Sequence, residues 1–169
     1  KAMKLVSTVK LQRAKARAEQ SKAYFKCMYE TVTSILAKAG TIDHPYLKAG
    51  ESGKKAVIVI TSNRGLAGGY NSNIVKLVTR GDFKKDDVAI YALGKKGRDS
   101  FARYGYDIRL ENESIVEEPT YADAMVLSKK VLEAYAKGEI REIYLAYTAF
   151  KNTVVHEPTL IKLLPVEAE

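Results

Sequence analysis

The stretch from Lys55 to Lys76 constrains the fold more than any other part of the chain. It opens with an unbroken apolar run, Ala56-Val-Ile-Val-Ile60. A strand with one wet face would alternate, so this run suits a parallel strand covered on both sides. Thr61 to Gly69 then supplies turn chemistry, with Gly65, Gly68 and Gly69 free to take positive φ. Asn71 and Ser72 are good N-caps. Ile74, Val75, Leu77 and Val78 follow on one helical face, and Gly81 suits the helix end. Strand, glycine loop and helix make the first half of a βαβ unit.

A glycine-rich βα turn invites a nucleotide-binding reading, but the spacing argues against it. The dinucleotide fingerprint needs G-x-G-x-x-G, whereas the glycines here run G-x-x-G-G. The P-loop needs Lys-Ser/Thr after its last glycine, whereas Tyr70-Asn71 stands there. Backbone N–H groups at a helix start still attract anions, and Arg64 sits close by. The plainer reading gives Arg64, Gly65, Gly68, Gly69 and Asn71 a structural role in a tight turn. Gly94-Lys-Lys-Gly97 could likewise cradle a phosphate. It lacks a Ser/Thr or metal ligand beside it, so a simple helix start is preferred.

The formal net charge of +8 is unevenly placed. Residues 1–26 hold eight lysines and arginines against one glutamate, a net +7, which leaves the remainder nearly neutral. Residues 1–38 also contain no Gly or Pro and are rich in strong helix formers, so one long helix is expected, ending near Gly40. Val6, Val9, Ala16, Ala23 and Cys27 recur at coiled-coil-like steps and form a thin seam. Met28, Val32 and Ile35 form a thicker stripe. The second half should therefore pack on the body, while the first half projects and needs a partner helix.

Three units follow: a basic helix at 1–40, a loop at 41–54 containing Pro45, Gly50 and Gly53, and an α/β domain at 55–169. Val88–Ala92 reads as the second strand. Gly94–Gly97 opens a helix carrying Phe101 and Tyr104 that ends at Gly105, and Asp107–Leu110 reads as a short strand. Glu111–Glu118 is an acidic loop. Thr120-x-x-Asp123 starts a helix with Ala124, Leu127, Val131 and Tyr135 buried and Gly138 at its end. Glu142–Phe150 is a strand. Lys151-Asn152 reads as a tight turn into an antiparallel strand, Val154–Leu164, where Pro158 requires an edge or a bulge. The expectation is a Rossmann-like, mostly parallel sheet of about five strands with an antiparallel edge strand, plus the long helix.

Candidate chemistry is sparse. Cys27 stands alone, and His44 and His156 have no metal-type spacing, so neither cofactor nor metal is expected. Glu117 and Glu118 are adjacent and make a poor acid/base pair. Apolar runs stay short of the ~20 residues that span a bilayer. Two functional readings rest on the residues alone. One is a Rossmann-like nucleotide-binding enzyme using the loop after the first strand. The other is a nucleic-acid binder using the basic arm, which has few aromatic side chains to stack on bases.

A third reading comes from resemblance. Thr61-Ser-Asn-Arg-Gly-Leu-Ala-Gly-Gly-Tyr-Asn-Ser-Asn-Ile74 resembles the signature of the γ subunit of F-type ATP synthase, with Asn63, Ala67 and Tyr70 as departures. Lys1-Ala-Met-Lys-Leu-Val6 is similar to the family's N-terminal segment, and Leu163-Leu-Pro165 continues the match. The resemblance implies a non-catalytic central-stalk rotor subunit that couples ion flow to ATP chemistry on the β subunits. Implied partners are the α and β subunits, the ε subunit, the membrane c-ring and the subunit's own C-terminal helix, with no nucleic acid. The implied location is peripheral, on the cytoplasmic face of a bacterial plasma membrane. By the same resemblance, Lys1, Met3, Lys4, Lys10, Arg13 and Arg17 would run past acidic loops of β. The chain looks like a fragment of such a subunit, without its extreme N-terminus and C-terminal helix.

Overall fold

The computed structural model describes residues 2–41, 53–61, 69–110, 121–151 and 155–165, with side chains in the first half of the long helix described at Val6–Lys10, Gln12 and Ala23. The long helix, α1, runs Ala2–Thr41. Five strands form one sheet: β1 (Lys54–Ile60), β2 (Val88–Leu93), β3 (Asp107–Leu110), β4 (Ile140–Phe150) and β5 (His156–Leu164). Helices α2 (Tyr70–Thr79), α3 (Lys95–Arg103) and α4 (Tyr121–Ala136) connect them.

The strand order is β3-β2-β1-β4-β5. β1 pairs in parallel with both β2 and β4, with Ile58 opposite Tyr91 on one side and Leu145 on the other. Only β5 runs antiparallel, against β4. This is the mostly parallel sheet with an antiparallel edge that the sequence leads one to expect. Pro158 lies on that edge strand, opposite Thr148, where its missing N–H costs no central ladder bond.

The apolar run of β1 is continuous because both of its faces are covered. Ala56, Ile58 and Ile60 point into one core with α1 and α4, while Val57 and Val59 point into a second core with Ile74, Val75, Val78 and Phe101. The α4 stripe of Ala124, Leu127, Val131 and Tyr135 is buried as expected.

Four details differ from the sequence reading. First, Asn71 and Ser72 are not N-caps. α2 starts earlier, at Tyr70, with Gly69 as its cap at φ 73° and no side-chain cap. Ser72 instead donates back to the Gly69 carbonyl at 3.3 Å. The left-handed turn that glycine permits brings the chain into the helix before either polar residue is reached. Second, the buried stripe of α1 is Phe25, Met28, Val32 and Leu36, with Ile35 only half-buried. Steps of three, four and four follow the helical period more closely than the expected set. Third, the described part of β5 begins at His156 and the Lys151 N–H reaches the Val155 carbonyl at 3.0 Å, while Asn152 and Val154, where the sequence places the turn and the strand start, lie outside the described residues. Fourth, β4 begins at Ile140 and not at Glu142, whereas Gly81 stands where a helix-ending glycine is expected, one residue past the Arg80 cap of α2.

Candidate functional site

α1 changes character along its length. From Phe25 onward it buries one side chain per turn against the sheet and α4. Before that point, Val6 is 53% exposed and Val9 40% exposed, and Ala23 and Cys27 are also exposed. The described members of the seam therefore face outward, with no cover from this chain. Lys10 is exposed beside them. Met3, Lys4, Arg13 and Arg17 lie on the same helix, their side chains outside the described residues, as is all of Lys1.

Of the glycine loop, Arg64, Gly65 and Gly68 lie outside the described residues, and Gly69 and Asn71 lie within them. Ring contacts gather where the loop ends. Tyr70 lies 4.3 Å from His156 and 5.9 Å from Phe25, centroid to centroid. Phe150 lies 6.2 Å from Phe25 and 6.0 Å from Tyr70. These rings stand beside the carboxyl ends of β1 and β4. The strand order reverses there, and open α/β sheets use that place for ligands. An open cleft of about 410 Å3 runs alongside, between α1 and β4, walled by Phe25, Tyr29, Tyr147 and Phe150. Tyr29 stacks on Tyr147 at 4.4 Å. Burial, assisted by the Tyr29 hydroxyl, pushes the Tyr147 phenol up to about 12.

The start of α3 is already occupied. Thr61, fully buried at the end of β1, donates its hydroxyl to the Leu93 carbonyl at 3.1 Å and accepts the Gly97 N–H at 2.9 Å. One of the N–H groups that a helix start leaves open is thus satisfied by a side chain from the neighbouring strand. A Cβ on Gly97 would lie 2.7 Å from that hydroxyl, and one on Gly94, at φ 102°, would collide with the Thr61 carbonyl. The Gly94-Lys-Lys-Gly97 segment is therefore a close-packed helix start.

The opposite, amino edge of the sheet is ionic. Arg141 forks onto Asp87 at 2.8 and 2.5 Å and also donates to the Gly53 carbonyl. Asp107 accepts from Lys54 at 3.1 Å and Arg109 at 2.8 Å, and Glu142 lies 3.0 Å from Lys162 and 3.6 Å from Lys55. The hydrogen bonds from Arg141 hold Asp87 below the usual carboxylate range. For Asp107 and Glu142 burial pushes upward, but their cationic partners outweigh it and the net shift is downward. Sequence reasoning missed this edge, because Lys54 and Asp107 are 53 positions apart and Asp87 and Arg141 54. Among the described residues no His, Cys, Asp and Glu cluster could hold a metal ion.

The sequence model of the family described as ATP synthase matches residues 1–169. The chain belongs to the ATP synthase gamma-chain family. It is 61% identical over all of its length to the "ATP synthase gamma chain" of Lachnoclostridium phytofermentans and 41% identical to that of Alkaliphilus metalliredigens, in each case spanning 58% of the relative. Over 99% of its length it is 37% identical to "ATP synthase gamma chain, sodium ion specific" of Acetobacterium woodii, spanning 56% of that protein. Among solved structures, a chain in the central stalk/c-ring of Tetrahymena thermophila mitochondrial ATP synthase matches with a TM-score of 0.51 at 22% identity. That match covers 97% of this chain and 71% of the other, and it bears on the fold alone. No helix among the described residues is long and apolar enough to cross a membrane.

Proposed function

We propose that this gamma-family chain is a non-catalytic rotor element of an F-type ATP synthase that couples ion flow through a membrane sector to ATP synthesis or hydrolysis on other subunits. The observation that carries the reading is the full-length match, at 61% identity, to a bacterial ATP synthase gamma chain. The asymmetry of α1 supports it. From Phe25 to Leu36 the helix packs on the body, and the first 26 residues carry nearly all of the net charge on a helix whose described seam is exposed.

On this reading the α/β domain at 55–169 is the foot, facing the ε subunit and the c-ring. The helix at 1–40 is the shaft, facing the α and β subunits and a further helix of its own subunit. Lys1, Lys4, Lys10, Arg13 and Arg17, with Met3 among them, face acidic loops of β. The chain sits peripherally on the cytoplasmic face of a bacterial plasma membrane. Each exposed ion pair contributes only ~0.2–1 kcal/mol. No single lysine is decisive, and the arm works through summed charge.

The test is a chimera in which this chain replaces the matching part of the L. phytofermentans gamma chain. Assembled with that organism's other subunits in vesicles, it should support ATP-driven ion pumping in step with hydrolysis. Complexes that assemble and hydrolyse ATP but do not pump would count against the reading.

A further inference from the structure

The four rings at the carboxyl edge join three pieces of chain that are remote in sequence. Phe25 comes from α1, Tyr70 from the first position of α2, and Phe150 and His156 from facing positions of the β4–β5 hairpin. Gly69 aims Tyr70 into the group, because its left-handed turn sets where α2 begins. Phe25 is also the last described residue of α1 to be buried before the helix leaves the body: Ala23, two residues before it, is exposed, as are Lys26 and Cys27 just after it.

A helix rises about 1.5 Å per residue, so the supported base from Phe25 to Leu36 is about 16 Å long and the overhang to Ala2 about 34 Å. With Leu36 as the pivot, a sideways displacement at Phe25 is about tripled at Ala2 on those lengths. We propose that the cluster of Phe25, Tyr70, Phe150 and His156 is a joint that fixes the angle of the arm on the sheet. Through it the arm, the end of the glycine loop and the hairpin move as one piece. Met28, Val32 and Leu36 attach the helix to the body, and the ring cluster sets its direction. A tilt of about 10° at Phe25 moves Val9, about 24 Å up the axis, by about 4 Å.

The experiment measures the distance distribution between spin labels at Val9→Cys on the arm and Ala102→Cys on α3, in a Cys27→Ser background. Both label sites are exposed. Phe25→Ala and the milder His156→Ala should each shift or widen the distribution by about 4 Å or more, the swing expected of a freed lever. Ile90→Ala removes comparable apolar volume from the core on the other face of the sheet and should leave the distribution as it was. The joint is refuted if Phe25→Ala and His156→Ala keep the original distribution, or if Ile90→Ala widens it equally. If Phe25→Ala does not fold, His156→Ala against Ile90→Ala decides the matter. The measurement uses this chain alone, so failure of the joint leaves the rotor reading standing, and failure of the rotor reading leaves the joint standing.

Discussion

The two halves of α1 share one helix and are held by different forces. From Phe25 to Leu36 the helix buries four apolar side chains to 2% exposure or less, so tertiary packing fixes it. From Val6 to Lys10 every described side chain is exposed. There the helix rests on the propensity of its Ala, Lys, Arg, Gln and Leu content. Propensity alone makes a marginal helix in water, and most helical stability in proteins comes from packing one face. The contrast teaches that packing and propensity divide one helix between them, and on the proposed reading the exposed half is the part that meets a partner.

Side-chain truncation should break the comparison most strongly. Phe25→Ala is expected to cost about 3–5 kcal/mol and Leu36→Ala about 2–5 kcal/mol. Val6→Ala and Val9→Ala should stay within about 0.5 kcal/mol, because nothing is uncovered. Urea unfolding of the four variants checks this, and a large loss at Val6 would show that the arm packs on the body after all.

Charge reversal sharpens the comparison from the functional side. Changing Lys4, Lys10, Arg13 and Arg17 together to Glu, in the chimeric complex, is expected to cost up to a few kcal/mol of assembly or registry, the sum of several weak pairs. The defect should be larger at low salt, where screening is weaker. Lys10→Ala alone should change the ratio of pumping to hydrolysis only modestly. If fourfold reversal leaves both rates intact, the arm is a solvated helix face.

Smaller effects are expected at the sheet edges. Gly69→Ala forces an L side chain into φ 73° and brings its Cβ to 3.2 Å from the Asn73 side chain, so a loss of about 1 kcal/mol is expected in thermal unfolding. At the ionic edge, Asp87, Asp107 and Glu142 all have folded pKa values below their ordinary ones. Such groups add stability that is present above the unfolded pKa, near 4, and lost as pH falls through the lower folded value. These side chains are 20–34% exposed, so each pair should contribute only ~0.2–1 kcal/mol. Asp87→Asn should therefore lower the melting temperature slightly at neutral pH and make its acid-side decline shallower.

Much of this was legible in the sequence for a physical reason. The β1 run and the glycines at helix ends report local rules: burial on both faces for Val57 to Ile60, and left-handed turns at Gly69 before α2 and at Gly105 and Gly138 after α3 and α4. Pro158 marked an edge because a missing N–H cannot sit mid-sheet. The charge count placed the field on the arm with no structure at all. What the sequence hid was non-local. Nothing near Thr61 says that its hydroxyl closes α3, and nothing near Asp87 names Arg141. In the stripe of α1, Met28 and Val32 were legible, whereas Phe25, and Leu36 in place of Ile35, are chosen by the shape of the sheet beneath them. The loop residues Arg64, Gly65 and Gly68 lie outside the described residues, so their expected structural role stands as a proposal.

Amide hydrogen exchange along α1, in this chain alone and after assembly of the chimera with its partner subunits, tests the central claim most directly. The account expects strong protection from Met28 to Leu36 in both states. It expects weaker protection around Val6–Lys10 than from Met28 to Leu36 in the chain alone, and a large gain of protection there on assembly. Equal protection along the whole helix in the isolated chain, or no gain at Val6–Lys10 in the assembled complex, would contradict it.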